Sequence, residues 1–338
     1  MAKPTIIVIG AGVAGLTCAL ELAERGLSVE VVERARTLGE GSCSWMAGGM
    51  LAPWCERATT EPEVAEWGAP SIDWWAERFP GTARQGSLVV AQPRDLPDLT
   101  RFAQRTEHFD WLDADGIAKF EPDLAGRFRR ALFFRDEAHL DPRRALAALA
   151  ERLQDRGVVI RFGVELAPQD ARADVVVDCR GLAARDALPD LRGVRGEMVM
   201  VRSPDVSLQR PVRMLHPRLP LYIVPRGNGL FMIGATMIES ERRGPVSVRS
   251  AVELLNAAYA LHPGFGEAEI VELGADLRPA FPDNLPDIRR SGHVLHANGL
   301  FRHGFLLAPT LARRTADAVL SMLQPETNHA DLPQRRRA

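Results

Sequence analysis

The sequence is poor in cysteine, in tyrosine and in long apolar runs, and it carries almost no net charge. Its four cysteines, Cys18, Cys43, Cys55 and Cys179, form no CxxC pair and no pattern with the eight histidines that would hold a metal. No metal site is expected, and reduced thiols in a cytoplasmic protein are the simplest reading. No apolar run approaches the ~20 residues needed to span a bilayer. Met1 to Pro4 leads straight into a strand-like run, so neither membrane insertion nor an export leader is expected. A net charge of −2 without a sustained basic stripe implies neither nucleic acid nor an acidic membrane surface as partner. The 338 residues, 25% charged and 46% hydrophobic, are those of a soluble globular chain long enough for two domains.

What is present is concentrated first near the N-terminus. Ile6 to Ile9 is a β-branched run suited to a buried parallel strand, and Gly10-Ala-Gly12-Val-Ala-Gly15 follows it before the apolar-periodic stretch Leu16 to Ala23. In this context Gly10 permits a tight turn, Gly12 lets backbone approach a pyrophosphate, and Gly15 lets the helix lie near the strand. Unpaired N–H groups at the helix start then face the phosphates. A second strand, Val29 to Val32, ends at Glu33, eighteen residues past Gly15, where a carboxylate accepts hydrogen bonds from a ribose and repels a 2′-phosphate. The motif leaves NAD and FAD both open.

Further on, Gly39 to Pro53 interleaves small with apolar residues over fifteen positions, a composition suited to backbone pressed against a large flat ligand. Glu63 to Phe79 reads as one helix whose Trp67, Trp74 and Trp75 belong to core packing. Gln85 to Ala91 reads as a strand, and Leu96 to His108 as a helix. Asp141 caps a helix over Ala145 to Asp155, with Pro142 in its first turn. Gly157 to Leu166 and Ala173 to Cys179 return to nucleotide-binding character. From Gly196 the pattern becomes meandering strands, Glu197 to Arg202, Leu221 to Val224 and Leu230 to Ala235, the last two joined by the hairpin turn Pro225-Arg-Gly-Asn-Gly229. Val248 to Ala260 is a helix, a proline-rich loop from Arg278 to Asp287 follows a short strand, and Val294 to Ala297 precedes a closing helix over Thr310 to Leu323. The polar stretch from Gln324 is expected to be disordered.

Four of these stretches together resemble the FAD-dependent amine and D-amino-acid oxidase superfamily, and within it the glycine oxidases of the thiamine pathway. They are the glycine motif with Glu33; Ser44-Trp-Met-Ala-Gly-Gly-Met-Leu-Ala-Pro53; Tyr222-Ile-Val-Pro to Gly234-Ala-Thr-Met237; and Phe301-Arg-His-Gly-Phe-Leu-Leu-Ala-Pro309. The resemblance selects FAD over NAD. It implies an α/β fold: a Rossmann-type FAD-binding domain discontinuous over 1–80, 139–192 and 286–323, and an antiparallel-sheet α+β substrate domain over 81–138 and 193–285. Implied cofactor contacts are Gly10, Gly12, Val13, Ala14, Gly15, Glu33, Arg34, Cys43, Ser44, Gly48, Gly49, Met50, Val164, His303, Gly304, Phe305 and Leu306. A helix opening at Gly304 would turn its positive end towards the flavin. No cysteine follows Cys179, so the flavin is expected to be non-covalent. Asp178-Cys-Arg-Gly181 departs from the Ala-Thr-Gly or Ala-Ser-Gly of relatives.

An amino-acid substrate needs its carboxylate fixed, and arginine's planar fork does this with two parallel hydrogen bonds. Arg278 stands between an apolar strand and a proline-stiffened loop, and by resemblance it is the carboxylate-binding arginine. Tyr222, one of two tyrosines, is on sequence alone as suited to core as to ligand. By resemblance it donates to the substrate carboxylate, Met237 forms an apolar wall, and Arg302 is a second arginine near flavin and substrate. His303 is not taken as a base. The implied reaction is hydride transfer from the α-carbon of glycine, sarcosine or a small D-amino acid to flavin N5. It gives an imine or glyoxylate and, after reoxidation by oxygen, hydrogen peroxide, feeding thiazole synthesis for thiamine. A D-amino-acid dehydrogenase using a quinone and a non-catalytic FAD-binding subunit are the competing readings. A homo-oligomer, in relatives a tetramer, is the implied assembly.

Overall fold

The computed structural model describes residues 4–216 and 221–324, which build two large sheets and the helices around them. β1 (Thr5–Ile9) enters α1 (Val13–Glu24), and β2 (Ser28–Glu33) returns parallel to β1, with Val8 opposite Val31. Ile6 to Ile9 are all buried, as a strand covered on both faces requires.

After β2 the small-residue stretch makes one tight turn at Cys43–Met46 and the short β3 (Met50–Leu51). It continues into α2 (Pro53–Arg57), α3 (Pro62–Gly68) and α4 (Ser71–Arg78). The single helix expected from Glu63 to Phe79 is therefore two. Pro70 has no N–H for the carbonyl one turn back, and the helical ladder stops there. The three tryptophans pack as expected: Trp74 and Trp75 are buried, and Trp67 lies against the same core.

The chain then contributes β4 (Ser87–Ala91), α5 (Leu96–Ala103), β5 (Asp110–Asp113), α6 (Ala114–Phe120) and β6 (Arg130–Phe134). The helix expected to reach His108 ends at Ala103; His108 has a left-handed φ of 60° and stacks on Trp54 with ring centroids 3.9 Å apart. β7 (Ala138–His139) leads to α7 (Pro142–Asp155), whose cap Asp141 accepts from the N–H groups of Arg143 and Arg144. β8 (Val159–Phe162) and β9 (Val175–Asp178) complete the return to the first sheet.

β10 (Arg192–Arg202), β11 (Val212–Leu215), β12 (Leu221–Gly227) and β13 (Leu230–Gly234) form the meander. The β12–β13 turn has Asn228 at φ 52° and Gly229 at φ 69°, the paired positive angles of a tight hairpin. α8 (Val248–Leu261) precedes β14 (Glu269–Ala280), a 12-residue strand where a short one was expected, so Arg278 lies within the strand and not in the loop after it. β15 (Asp287–Ser291), β16 (Val294–Asn298) and α9 (Gly304–Leu323) close the chain. Of the polar tail only Gln324, which caps α9, is among the described residues.

The first sheet has the order β15-β16-β9-β1-β2-β8 and is parallel except for β15 against β16. The second has the order β14-β10-β13-β12-β11-β4-β6-β5. It is antiparallel apart from the parallel pair β4 and β11, which departs from the purely antiparallel expectation.

Candidate active site

A cavity of about 1190 Å³ is lined by both sheets. Twenty of the twenty-one site residues named from the sequence line it: all of Gly10, Gly12, Val13, Ala14, Glu33, Arg34, Cys43, Ser44, Gly48, Gly49, Met50, Val164, His303, Gly304, Phe305, Leu306, Arg278, Tyr222, Arg302 and Met237. Gly15 stands behind its wall. A Cβ there would come within 1.8 Å of the Gly10 carbonyl oxygen, so α1 crosses β1 closely enough that no side chain fits. Gly10, at φ 108°, makes the turn itself.

The carboxylate of Glu33 accepts the N–H of Ala11 on one oxygen at 2.7 Å and that of Ala35 on the other at 2.9 Å. Each oxygen keeps a lone pair for a further donor. Ser44 folds over the start of α1, its hydroxyl accepting from the Val13 N–H at 3.1 Å.

The loop carrying Cys43 to Met50 is held by two arginines that sequence reasoning missed. Arg226 is half-buried and donates to the carbonyls of Leu140 (2.7 Å), Ala47 (3.2 Å) and Gly48 (2.7 Å). Burial lowers its pKa to about 10. Arg143 donates to the Trp45 carbonyl at 3.2 Å and pairs with Glu272 at 2.8 Å. Strand periodicity did carry a signal for Arg226, since it follows Tyr222 and Val224 at alternate positions and so shares their face.

Tyr222 lies over Gly48, where a Cβ would come 2.9 Å from its ring. Arg278 is half-buried in the cavity wall and forms no ion pair among the described residues; its Nη1 donates to the Thr236 carbonyl at 3.0 Å. Burial lowers its pKa, with Arg302 adding to the effect. Its guanidinium lies on Gly196 of β10, where a Cβ would meet Nη2 at 2.2 Å. A partly desolvated guanidinium with no carboxylate of the described residues in ion-pair range is a ready partner for a ligand carboxylate. Met237, 59% exposed, lines the same cavity.

Arg302 is not an open cation. Its Nη2 stands 2.8 Å from Glu56, whose other oxygen is 3.4 Å from Arg213. Burial opposes the charge on Glu56, but Arg302, Arg213 and His303 outweigh it and hold the carboxyl at about 2. Glu56 and Arg213 were also missed, and nothing local in the sequence marks either. His303 is neutral: burial pushes it down to about 3, and the three arginines add to this against Glu56.

The unusual Asp178-Cys-Arg-Gly181 segment is a closed network. Asp178 is buried at the end of β9, bonded to His296 Nδ1 at 2.8 Å and to Arg180 at 2.8 and 3.0 Å, and Asn298 donates to the Gly181 carbonyl at 2.8 Å. Burial raises the Asp178 pKa, and the bonds from His296 and Arg180 overcome this to leave it lowered. Among the described residues no three His, Cys, Asp or Glu side chains gather as metal ligands would.

The donor set fits an extended dinucleotide. Glycine backbone, the start of α1 and Glu33 stand on one side of the cavity; the small-residue loop and the start of α9 line the rest.

Comparisons agree with the geometry. The family model described as FAD dependent oxidoreductase matches residues 5–318. The chain is 57% identical over 323 residues to a Rhizobium etli protein named as a thiamine biosynthesis oxidoreductase, ThiO, covering 95% of this chain and 98% of that one. It is 28% identical over 350 residues to the glycine oxidase of Bacillus licheniformis, covering 93% and 92%. The crystal structure of glycine oxidase from Geobacillus kaustophilus superposes with a TM-score of 0.80 at 25% identity, covering 99% of this chain and 100% of that one.

Proposed function

The chain belongs to the FAD-dependent oxidoreductase family, and we propose that it is an amino-acid oxidase of the glycine oxidase type. The observation that carries this reading is Arg278, a half-buried guanidinium without an ion pair among the described residues, set in the cavity beside Tyr222.

In this reading, residues 1–80, 139–192 and 286–323 hold FAD without a covalent bond, and 81–138 with 193–285 hold the substrate. Gly10 to Gly15, Glu33 and Arg34 take the adenosine diphosphate. Cys43, Ser44, Gly48 to Met50, Val164 and His303 to Leu306 take the remainder. FAD, when bound, supplies the acceptor for the hydride leaving the α-carbon and passes the electrons to oxygen, which becomes hydrogen peroxide.

The chain's own residues bind and orient. Arg278 and the Tyr222 hydroxyl fix the substrate carboxylate, and Met237 closes the side-chain end, which favours glycine, sarcosine or a small D-amino acid. His303 has lost its basicity to burial and keeps no proton at neutral pH, so the amine must arrive already neutral. Glu56 is paired to two arginines and is equally unsuited to take a proton. The imine product hydrolyses to glyoxylate or serves thiamine thiazole synthesis, the pathway in the Rhizobium etli protein's name. The protein acts in the cytoplasm as a homo-oligomer, a tetramer by resemblance. No helix among the described residues is long and apolar enough to cross a membrane.

The test is peroxide release during turnover. Glycine, sarcosine or D-alanine should each be screened with oxygen as acceptor, and substrate turnover with a quinone but without peroxide would replace the oxidase by a dehydrogenase.

A further inference from the structure

Glu56 occupies a place that the oxidase reading does not use. It sits in α2, immediately after the small-residue loop, with its N–H donating to the Ala52 carbonyl at 3.0 Å. From there its carboxylate reaches two guanidiniums on different parts of the fold, Arg302 before α9 at 2.8 Å and Arg213 on β11 at 3.4 Å. All three residues line the cavity that contains Arg278. The Glu56 and Arg213 side chains are only 11% and 7% exposed, so water screens their charges weakly.

We propose that Glu56 is a specificity-determining residue: by occupying Arg302 it leaves Arg278 to take a single substrate carboxylate, and it turns away amino acids that carry a second one. The inference rests on the amino-acid oxidase reading above. Arg302 is the next guanidinium a second carboxylate could seek, and it is already paired. An incoming dicarboxylate would have to displace Glu56 from Arg302 or set its extra charge beside the Glu56 carboxylate, which already cancels one of the two guanidiniums there and so weakens their pull on a second carboxylate. Glycine, sarcosine and D-alanine present nothing to Glu56.

Arg302 and Arg213 keep Glu56 ionised, at about 2, so it continues to occupy Arg302 throughout the neutral range.

The experiment compares wild-type holoenzyme with Glu56→Gln and Glu56→Asp. For each, kcat/KM is measured for D-aspartate and glycine, and for iminodiacetate and sarcosine. Affinities for the unreactive acids succinate and acetate are measured by calorimetry. Glu56→Gln should raise each dicarboxylate-to-monocarboxylate ratio by about tenfold or more, while Glu56→Asp keeps the wild-type preference. Removing Glu56 alone leaves Arg213 buried without its partner, so the double variant Glu56→Gln with Arg213→Met provides a second test if the single variant does not fold. It also frees Arg302 and should shift the ratios in the same direction. Ratios that stay unchanged or fall in a folded, FAD-loaded variant would overturn the role of Glu56. Should the wild type oxidise no amino acid, the oxidase reading falls instead, and the succinate-to-acetate affinity ratio still decides whether Glu56 excludes a second carboxylate.

Discussion

Trp75 donates its indole N–H to the carbonyl oxygen of Phe305 at 2.8 Å, and that carbonyl is the one Pro309 leaves without a donor inside α9. A proline within a helix orphans the carbonyl four residues back; here a buried tryptophan from α4 satisfies it. The same contact fixes the first turn of α9, whose residues Gly304 to Leu306 line the cavity. Replacing Trp75 by Phe should therefore cost about 1–3 kcal/mol for the carbonyl left unpaired, with packing losses in addition. Urea denaturation of the holoprotein measures it, and an unchanged midpoint would show that the bond contributes nothing.

Arg278→Ala removes the guanidinium expected to hold the substrate carboxylate. It should weaken substrate binding by about 1.5–3 kcal/mol, roughly ten- to a hundredfold or more. The rise should be in KM for glycine. Gly196→Ala should raise KM in the same direction without touching Arg278, because the new methyl group would stand where the guanidinium lies, 2.2 Å from Nη2. Unaltered kinetics in both variants would remove Arg278 from the site.

Arg226 holds three carbonyls around the 43–50 loop, so Arg226→Leu should leave buried acceptors unpaired at a cost of at least about 1–3 kcal/mol. Since the loop lines the cavity, FAD retention on gel filtration should fall as well. A variant as stable and as yellow as the wild type would count against this role.

Stability should depend on pH in two opposite ways. Burial lowers His303 to about 3 and His139 to about 4, whereas in the unfolded chain a histidine titrates near ~6.5. Between those values the unfolded chain holds more protons, so this contribution is complete above ~6.5 and is lost as pH falls towards about 4 and then about 3. Glu137 behaves in the reverse sense: burial raises it to about 8 despite its bonds from Ser87 and the Cys55 N–H. Its contribution is complete below the unfolded value of ~4.3 and is lost as pH rises through about 8. Thermal melts across pH should show both limbs, and Glu137→Gln should flatten the alkaline one and leave the acid one. If that variant falls off with alkali as steeply as the wild type, Glu137 is not the group responsible.

The sequence carried the local features well. β1, the glycine turn, α1 and Glu33 lie within thirty residues and could be read from turn chemistry and periodicity. The Asp141 cap and the β12–β13 hairpin were legible for the same reason. What escaped was set by partners distant in the chain. Glu56 acquires its meaning from Arg302 and Arg213, and Gly196 from Arg278 on the neighbouring strand. Arg278 was expected at the start of a loop after a short strand, but pairing with β10 extends β14 through Pro279 to Ala280 and puts it inside the strand. The break at Pro70 was visible in the sequence, since a proline there lacks the N–H that one continuous helix from Glu63 to Phe79 would need.

The central claim, that this cavity binds FAD and presents it to a small amino acid, is tested most directly by anaerobic titration of the purified holoprotein with glycine. The account predicts that the yellow flavin band bleaches and that air restores it with release of hydrogen peroxide. A band that glycine, sarcosine and D-alanine all leave unchanged would contradict it.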